Sequence, residues 1–436
     1  MNDPRRAAAA ALMRQEKNGY ANLVLKSALQ RFEGTPQDRA LAAAIFYGTV
    51  ERLVTIDWIL SRFLARPLAS ADAAVRAVLR TGLYQARWMQ SVPIHAAVNE
   101  SVALCRRMGR GSAAGMVNAV LRKAAVFDLE SAVFSDEIER LCVRYSVSRP
   151  VVELLLRAVP DQCEAVLATS FQKPAFCVRA NTLKNTPAEL CAIFRDHGID
   201  AREGDVPGSV IAQWRGDLTA FPPFQEGRFH VQGQASQLAC QLVGACPGET
   251  VVDLCAAPGG KSATLAQWME NRGVLVSRDA AANRVPLIRE QLERLGITCG
   301  RVQAADGAVY DEALQGADRV LCDVPCSGLG TLSKKPDVRY KTLEGLEQLV
   351  GLQQKILETG ARYVRKGGVC VYSTCTLNPQ ENGDVVRRFL EAHDEFSLCS
   401  APHLPHWARQ TDCGICVEPL TPETDGFFIA VLRRER

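Results

Sequence analysis

No stretch of the 436-residue chain approaches the roughly 20 consecutive apolar residues that a membrane-spanning helix requires, so a soluble protein with no membrane partner is expected. No cleavable leader is expected either. The apolar stretch Ala7 to Met13 follows Arg5 and Arg6 but runs into Arg14, Glu16 and Lys17 without a small-residue cleavage site, and Met1 to Tyr20 reads as the first turns of an amphipathic helix. Internal repeats and low-complexity tracts are absent. So are the glycine spacings GxGxxG and GxxxxGKS/T, which weighs against NAD and ATP, and the H-x-E with P-C-x-x-C set of a zinc deaminase. The single CxxC, Cys413-Gly-Ile-Cys416, has no second pair, and His403 and His406 lie in a Pro-rich stretch without zinc-finger spacing. No metal is expected. Cysteine itself is plentiful: sixteen residues, spread over a chain too large to need disulfide staples, point to free thiols in a reducing, cytoplasmic compartment.

Hydrophobic residues make up 47% and charged residues 23%, ordinary globular usage, and the length suits two or three domains. Charge is unevenly spread. Residues 1–125 hold 18 Lys+Arg against 8 Asp+Glu, a net of +10, which leaves 33 against 40, or −7, for residues 126–436. A basic segment of this size can neutralise phosphates and release counterions, making nucleic acid its leading partner; the plainer alternative is a basic solvated surface.

From Arg5 to about Val126 apolar residues recur at three and four, as in Ala21 to Phe32, Arg39 to Leu53, Ala71 to Met89 and Ile94 to Met108, with Gly34, Pro36, Pro67 and Pro93 as breakers. Short helices continue from Ser131 to about Ala168. Phe176 to Leu183 is strand-like, and with the helix-like Thr186 to His197 it suggests a small α+β insert. From Glu249 strands and helices alternate through Val369 to Tyr372 and Glu381 to His393, which implies parallel strands joined by crossovers, a doubly wound α/β domain. The expected domains are 1–128, 129–235 and 236–436.

Val251 to Cys255 reads as a buried strand entering Ala256-Ala257-Pro258-Gly259-Gly260-Lys261 and then a helix. Small residues and two glycines let the backbone approach a ligand at the first strand-to-helix turn. Asp279 follows the second strand, where a carboxylate can take ribose hydroxyls, and Asp306 follows the third, where one can accept from an adenine amino group. Each alone is ordinarily a turn or cap; their recurrence favours an adenosine site. No phosphate-binding cation is needed, which suits a sulfonium cofactor. Asp323-Val-Pro-Cys326 and Ser373-Thr-Cys375 close two later strands, so their thiols can face one crevice. Most of the other thiols, Cys240, Cys246, Cys322 and Cys370 among them, need no role beyond packing.

Val252 to Lys261, Asp323 to Gly328 and Thr374 to Asn382 resemble the motifs of the Sun-type RNA cytosine-5 methyltransferases, as do Arg179 to Leu183, Lys335-Pro-Asp337 and Thr424 to Phe428. The helical start, with Asp38-Arg39, Tyr47-Gly48, Ala97 to Ser101 and Val117 to Arg122, resembles a NusB-like RNA-binding domain. Together they are similar to the RsmB (Sun/Fmu) type of small-subunit ribosomal RNA methyltransferase over nearly the whole chain. The resemblance implies a Rossmann-like domain binding S-adenosyl-L-methionine through Cys255 to Lys261, Asp279, Asp306 and Asp323. It also implies Cys375 as nucleophile, Cys326 as its helper in product release and Asp323 as general acid. The implied target is cytosine 967 of 16S ribosomal RNA; transfer RNA, another ribosomal site, or a non-catalytic assembly role are the alternatives, and a monomer is the plain expectation. Two positions depart from the pattern: Gly233, where relatives often carry an acidic residue, and Ala317, where an aromatic or Val is usual.

Overall fold

The computed structural model describes residues 3–17, 21–30 and 32–436. Met1, Asn2, Asn18 to Tyr20 and Arg31 lie outside the described residues, and with them parts of the expected Met1–Tyr20 and Ala21–Phe32 helices. The chain forms two compact units, Met1–Leu154 with Lys335–Thr342, and Leu155–Lys334 with Leu343–Arg436.

The first unit is helical: α1 (Pro4–Gln15), α2 (Ala21–Gln30), α3 (Pro36–Glu51), α4 (Leu53–Ser61), α5 (Ala73–Trp88), α6 (Ile94–Arg107), α7 (Ala114–Ala125), α8 (Glu137–Tyr145) and the start of α9 (Arg149–Ala158). Local chemistry sets the helix starts. Asp3 caps α1 ahead of Pro4, Thr35 and Asp38 form a capping box on α3, and Asp72 caps α5. Alanines on α1 let it pack closely into a core of Leu12, Ile45, Phe46, Ile59, Val78, Leu83, Val117 and Leu121. Part of the basic excess is spent internally, with Arg76 and Arg80 on Glu16 and Asp57, and Arg110 on Asp72. Arg106, Arg122 and Lys123 are exposed and make no ion pair among the described residues.

Lys335–Thr342, which the sequence reading carries within 236–436, belongs to this helical unit. Its Asp337 carboxylate accepts from Ala21 N at 3.0 Å and Gln15 Nε2 at 3.4 Å, the Tyr340 hydroxyl donates to the Val50 carbonyl, and the fully buried Arg339 donates to the Tyr145 carbonyl at 3.0 Å. Backbone groups of the helices thus find partners in a distant segment, which no local pattern announces.

The second unit begins with the end of α9 and α10 (Cys163–Thr169), then an insert of β1 (Phe176–Ala180), α11 (Pro187–Asp196), β2 (Ala201–Glu203), β3 (Ser209–Ala212), α12 (Pro222–Gln225) and β4 (Phe229–Val231). Its antiparallel sheet has the order β2-β3-β1-β4, and Val178, Leu190, Phe194 and Phe229 fill its core. After α13 (Gln234–Val243) come β5 (Thr250–Asp253), α14 (Gly260–Trp268), β6 (Val274–Asp279), α15 (Val285–Leu295), β7 (Gly300–Ala304), β8 (Ala317–Asp323), α16 (Leu346–Tyr363), β9 (Val364–Thr374) and α17 (Gly383–Ala392). The strands β7-β6-β5-β8-β9 pair in parallel, with Val252 of β5 opposite Val276 on one side and Val320 on the other. Strand order reverses between β5 and β8, the position at which doubly wound sheets open a ligand crevice.

The sheet is mixed rather than wholly parallel. β10 (Phe396–Leu398), β11 (Ala408–Thr411), β12 (Gly414–Val417) and β13 (Phe427–Arg434) add an antiparallel edge, β13 lying against β9 with Phe428 opposite Thr374. Antiparallel strands need no crossover helix, so the alternation that reveals the parallel part falls silent here. No helix among the described residues is long and apolar enough to cross a membrane.

Candidate active site

The first strand-to-helix turn is held from below. Asp253, fully buried at the end of β5, accepts from the Ser262 hydroxyl at 2.7 Å, which in turn accepts from Ser277 at 2.8 Å. Burial pushes the Asp253 carboxyl up to about 7, against the lowering effect of the Ser262 bond. Gly259 takes φ 103°, a conformation that favours glycine, and a Cβ there would stand 3.1 Å from the Ile288 Cα. Ala256 N donates to the Arg278 carbonyl at 2.8 Å, joining the loop to β6.

Asp279 is buried at the end of β6; its carboxylate accepts from Ala257 N at 3.2 Å and Ala281 N at 3.0 Å, with the Arg284 guanidinium at 3.5 Å. Arg284 also donates to the Ala257 carbonyl at 2.9 Å, so loop and acid are one assembly. Asp306 is exposed after β7 and caps Ala308 N at 2.9 Å, while a Cβ on the adjacent Gly307 would come 3.1 Å from the Leu254 carbonyl. The ends of β5, β6 and β7 therefore converge on a crevice walled by small residues and edged by Asp279 and Asp306. Asp279, Asp306 and the loop backbone, with Arg284 and Lys261 each set on a carboxylate, fit a nucleoside carrying a cationic sulfur.

Across the strand reversal lies a second cluster. Asp323, closing β8, takes the Lys261 ammonium at 2.7 Å on Oδ2 and the Ser373 hydroxyl at 2.7 Å on Oδ1. Burial would lower the Lys261 ammonium, but the Asp323 carboxylate holds it above the ordinary lysine value. Lys261 also stands 5.5 Å over the Phe427 ring. The half-buried Cys326 and Cys375 bring their sulfurs to 3.2 Å. The hydrogen bond to Cys375, and then burial, push the Cys326 thiol well above its usual range.

Every candidate residue of the sequence reading thus lies at a carboxyl end of β5, β6, β7, β8 or β9. Cys322 and Cys370 instead pair at 3.8 Å within the core, and Cys240 is fully buried with its thiol pushed up to about 12 by burial. Sequence reasoning quoted Ser373, Phe427 and Glu381 within its segments but gave them no role, since no spacing singles them out. Gly233 starts α13 beside Asp425, where a Cβ would come 2.8 Å from Oδ2 of a carboxylate already paired with Lys334. An acidic side chain would crowd that pair, and glycine leaves it room.

Residues 241–433 match the family profile described as 16S rRNA methyltransferase RsmB/F, residues 2–126 the NusB family, and residues 151–212 an RsmF/B-like ferredoxin-like domain. The probable ribosomal RNA small subunit methyltransferase B of Bacillus subtilis is 32% identical over 438 residues, covering 98% of this chain and 97% of that protein. This chain belongs to the RsmB/F family of 16S rRNA methyltransferases. The crystal structure of PH0851 matches with a TM-score of 0.82 at 26% identity, over 99% of this chain and 98% of the other. A methyltransferase homolog from Pyrococcus horikoshii matches with a TM-score of 0.61 at 26% identity, over 69% of this chain and all of the other. S-adenosylmethionine is the cofactor of this RsmB/F-family chain.

Proposed function

We propose that this RsmB/F-family enzyme methylates carbon 5 of a cytosine in 16S rRNA, cytosine 967 in the usual bacterial numbering, through a covalent Cys375–cytosine adduct. The observation that carries the reading is the 3.2 Å thiol pair set beside the Lys261–Asp323 ion pair at the reversal of strand order. Carbon 5 of cytosine is too weak a nucleophile to attack a methyl donor unaided, and a thiolate adding at carbon 6 makes it an enamine. S-adenosylmethionine supplies an electrophilic methyl group on a sulfonium that leaves as a neutral thioether.

Cys375 adds to carbon 6 and sends the ring electron pair to carbon 5. Lys261, paired with Asp323, interacts electrostatically with Cys375. Asp323, held by Lys261 and Ser373, receives the base edge and serves as general acid, passing to the ring a proton that it takes from the Lys261 ammonium as charge develops. In the final step the Cys326 sulfur takes up the carbon 5 proton, the C–H electron pair re-forms the carbon 5–carbon 6 double bond, and the carbon–sulfur pair returns to Cys375. Cys255, Ala256, Ala257, Pro258, Gly259, Gly260 and Lys261 would line the cofactor with Asp279 on the ribose, Asp306 near the adenine and Asp323 at the junction with the base. The base must leave its stack to enter such a site, and the basic helical unit would hold the flanking phosphates.

The test is transfer of labelled methyl to unmodified 16S rRNA and, in parallel, to transfer RNA, with mapping of the product. Label in 5-methylcytosine at one ribosomal position is expected; label only in transfer RNA would overturn the target. Cys375→Ala will abolish turnover, and Cys326→Ala will leave RNA-linked protein on a denaturing gel. Full activity in Cys375→Ala would sink the nucleophile assignment.

A further inference from the structure

Glu381 is fully buried, and no lysine, arginine or histidine among the described residues pairs with it. A carboxylate in that position is costly unless its oxygens are filled by donors. Four are present. Oε1 accepts from Ser327 N at 2.7 Å and Gln353 Nε2 at 3.0 Å, and Oε2 accepts from the Ser327 hydroxyl at 2.5 Å and Asn378 Nδ2 at 3.0 Å. Ser327 follows Cys326 in the chain, and its hydroxyl also meets that of Thr376 at 2.7 Å, the residue that follows Cys375. Gln353 reaches the Pro325 carbonyl at 2.9 Å, on the other side of Cys326. Around Cys375, Asn382 binds the Thr376 carbonyl at 2.9 Å and the Thr374 hydroxyl at 2.6 Å. One acceptor group therefore bonds Ser327, next to Cys326, directly, and through the Ser327 hydroxyl reaches Thr376, next to Cys375, on a different strand end.

We propose that Glu381 is a positioning residue that clamps the Cys326 and Cys375 loops together and sets the approach of their sulfurs. This deepens the reading of the two thiols given above and rests on it. Only a carboxylate can serve here, because all four neighbours donate and an amide would turn one of its own N–H groups toward a donor. Besides the Cys375 hydrogen bond and burial, the same negative charge disfavours ionisation of Cys326.

The experiment reads sulfur geometry without RNA. Diamide takes up the two protons and two electrons released as a Cys326–Cys375 disulfide forms, and the cross-linked peptides are timed by mass spectrometry. In the full-length protein Glu381→Gln is expected to slow that cross-link at least tenfold while the Kd for S-adenosylmethionine stays within about threefold. A wild-type cross-linking rate in Glu381→Gln would overturn the proposal. Should that variant fail to fold, Ser327→Ala removes only the hydroxyl joining Glu381 to Thr376; slower cross-linking supports the clamp and an unchanged rate refutes it. In the methylation assay Glu381→Gln is expected to lose at least tenfold in turnover and to raise the fraction of RNA-linked protein, as misplacement of Cys326 would. Absence of methyl transfer by the wild type would strike the proposed function and leave the cross-linking result to judge the clamp.

Discussion

Asp253→Asn will change how the stability of the catalytic unit depends on pH. In the folded chain burial raises this carboxyl from 3.8 to about 7. Between those values the native protein keeps a proton that the unfolded chain has released. The associated stability is complete below about pH 4, declines as pH rises, and is gone above about pH 7. A shift of this size amounts to about 4 kcal/mol in all, of which about 2–3 kcal/mol lies between pH 5 and 8. For a unit of this size that is roughly 5–10 °C in Tm. Asn has the same shape, can accept from Ser262, and carries no charge at any pH. Differential scanning calorimetry of both proteins across this range reads the effect, and the transition of the catalytic unit is the one raised by S-adenosylmethionine. The variant should gain on the wild type as pH rises, since other titrating groups cancel in the difference. A Tm difference that stays constant from pH 5 to 8 would refute the argument that Asp253 is ionised at a cost beneath the proposed cofactor loop.

Two further outcomes test the site and the basic unit. Asp279→Ala removes a buried carboxylate from the proposed ribose position and is expected to weaken S-adenosylmethionine binding by about tenfold or more, since bonds to a charged acceptor contribute roughly 1.5–3 kcal/mol; a change below threefold by calorimetric titration would move the ribose elsewhere. Arg106→Gln, Arg122→Gln and Lys123→Gln together are expected to lower the slope of log Kd for RNA against log salt by about 2, given roughly 0.7–0.9 per phosphate contact. An unchanged slope would show that these exposed cations do not touch RNA.

The helical start was legible because one face of each helix buries apolar residues at three and four and because Gly34, Pro36, Pro67 and Pro93 separate the runs; the caps Asp3, Thr35 and Asp72 were not singled out. The parallel strands were legible as short Val-rich runs, Val251-Val252 among them, followed by small residues and acids. The antiparallel edge from β10 to β13 was not, because hairpin strands carry no obligatory helix between them. Lys335–Thr342 could not be assigned to the helical unit either, since Asp337, Arg339 and Tyr340 are anchored by groups as remote as Gln15 and Val50.

From residues and motifs alone came the chemistry on offer: a Gly-rich turn after a strand, acids at successive strand ends, and two cysteines each closing a strand. Composition excluded membrane spans, and glycine spacing weighed against dinucleotides and ATP. What folding alone decided is that two thiols 49 positions apart meet at 3.2 Å. Parallel pairing of β8 and β9 sets Asp323 beside Ser373, so the residues that follow each strand leave the sheet at the same edge. Glu381 then accepts two hydrogen bonds from Ser327 in the Cys326 loop, one from Asn378 in the Cys375 loop and one from Gln353 on α16. Spacing along a chain cannot report such an encounter, because it depends on strand register and on a buried acceptor that takes its meaning from the donors the fold delivers to it.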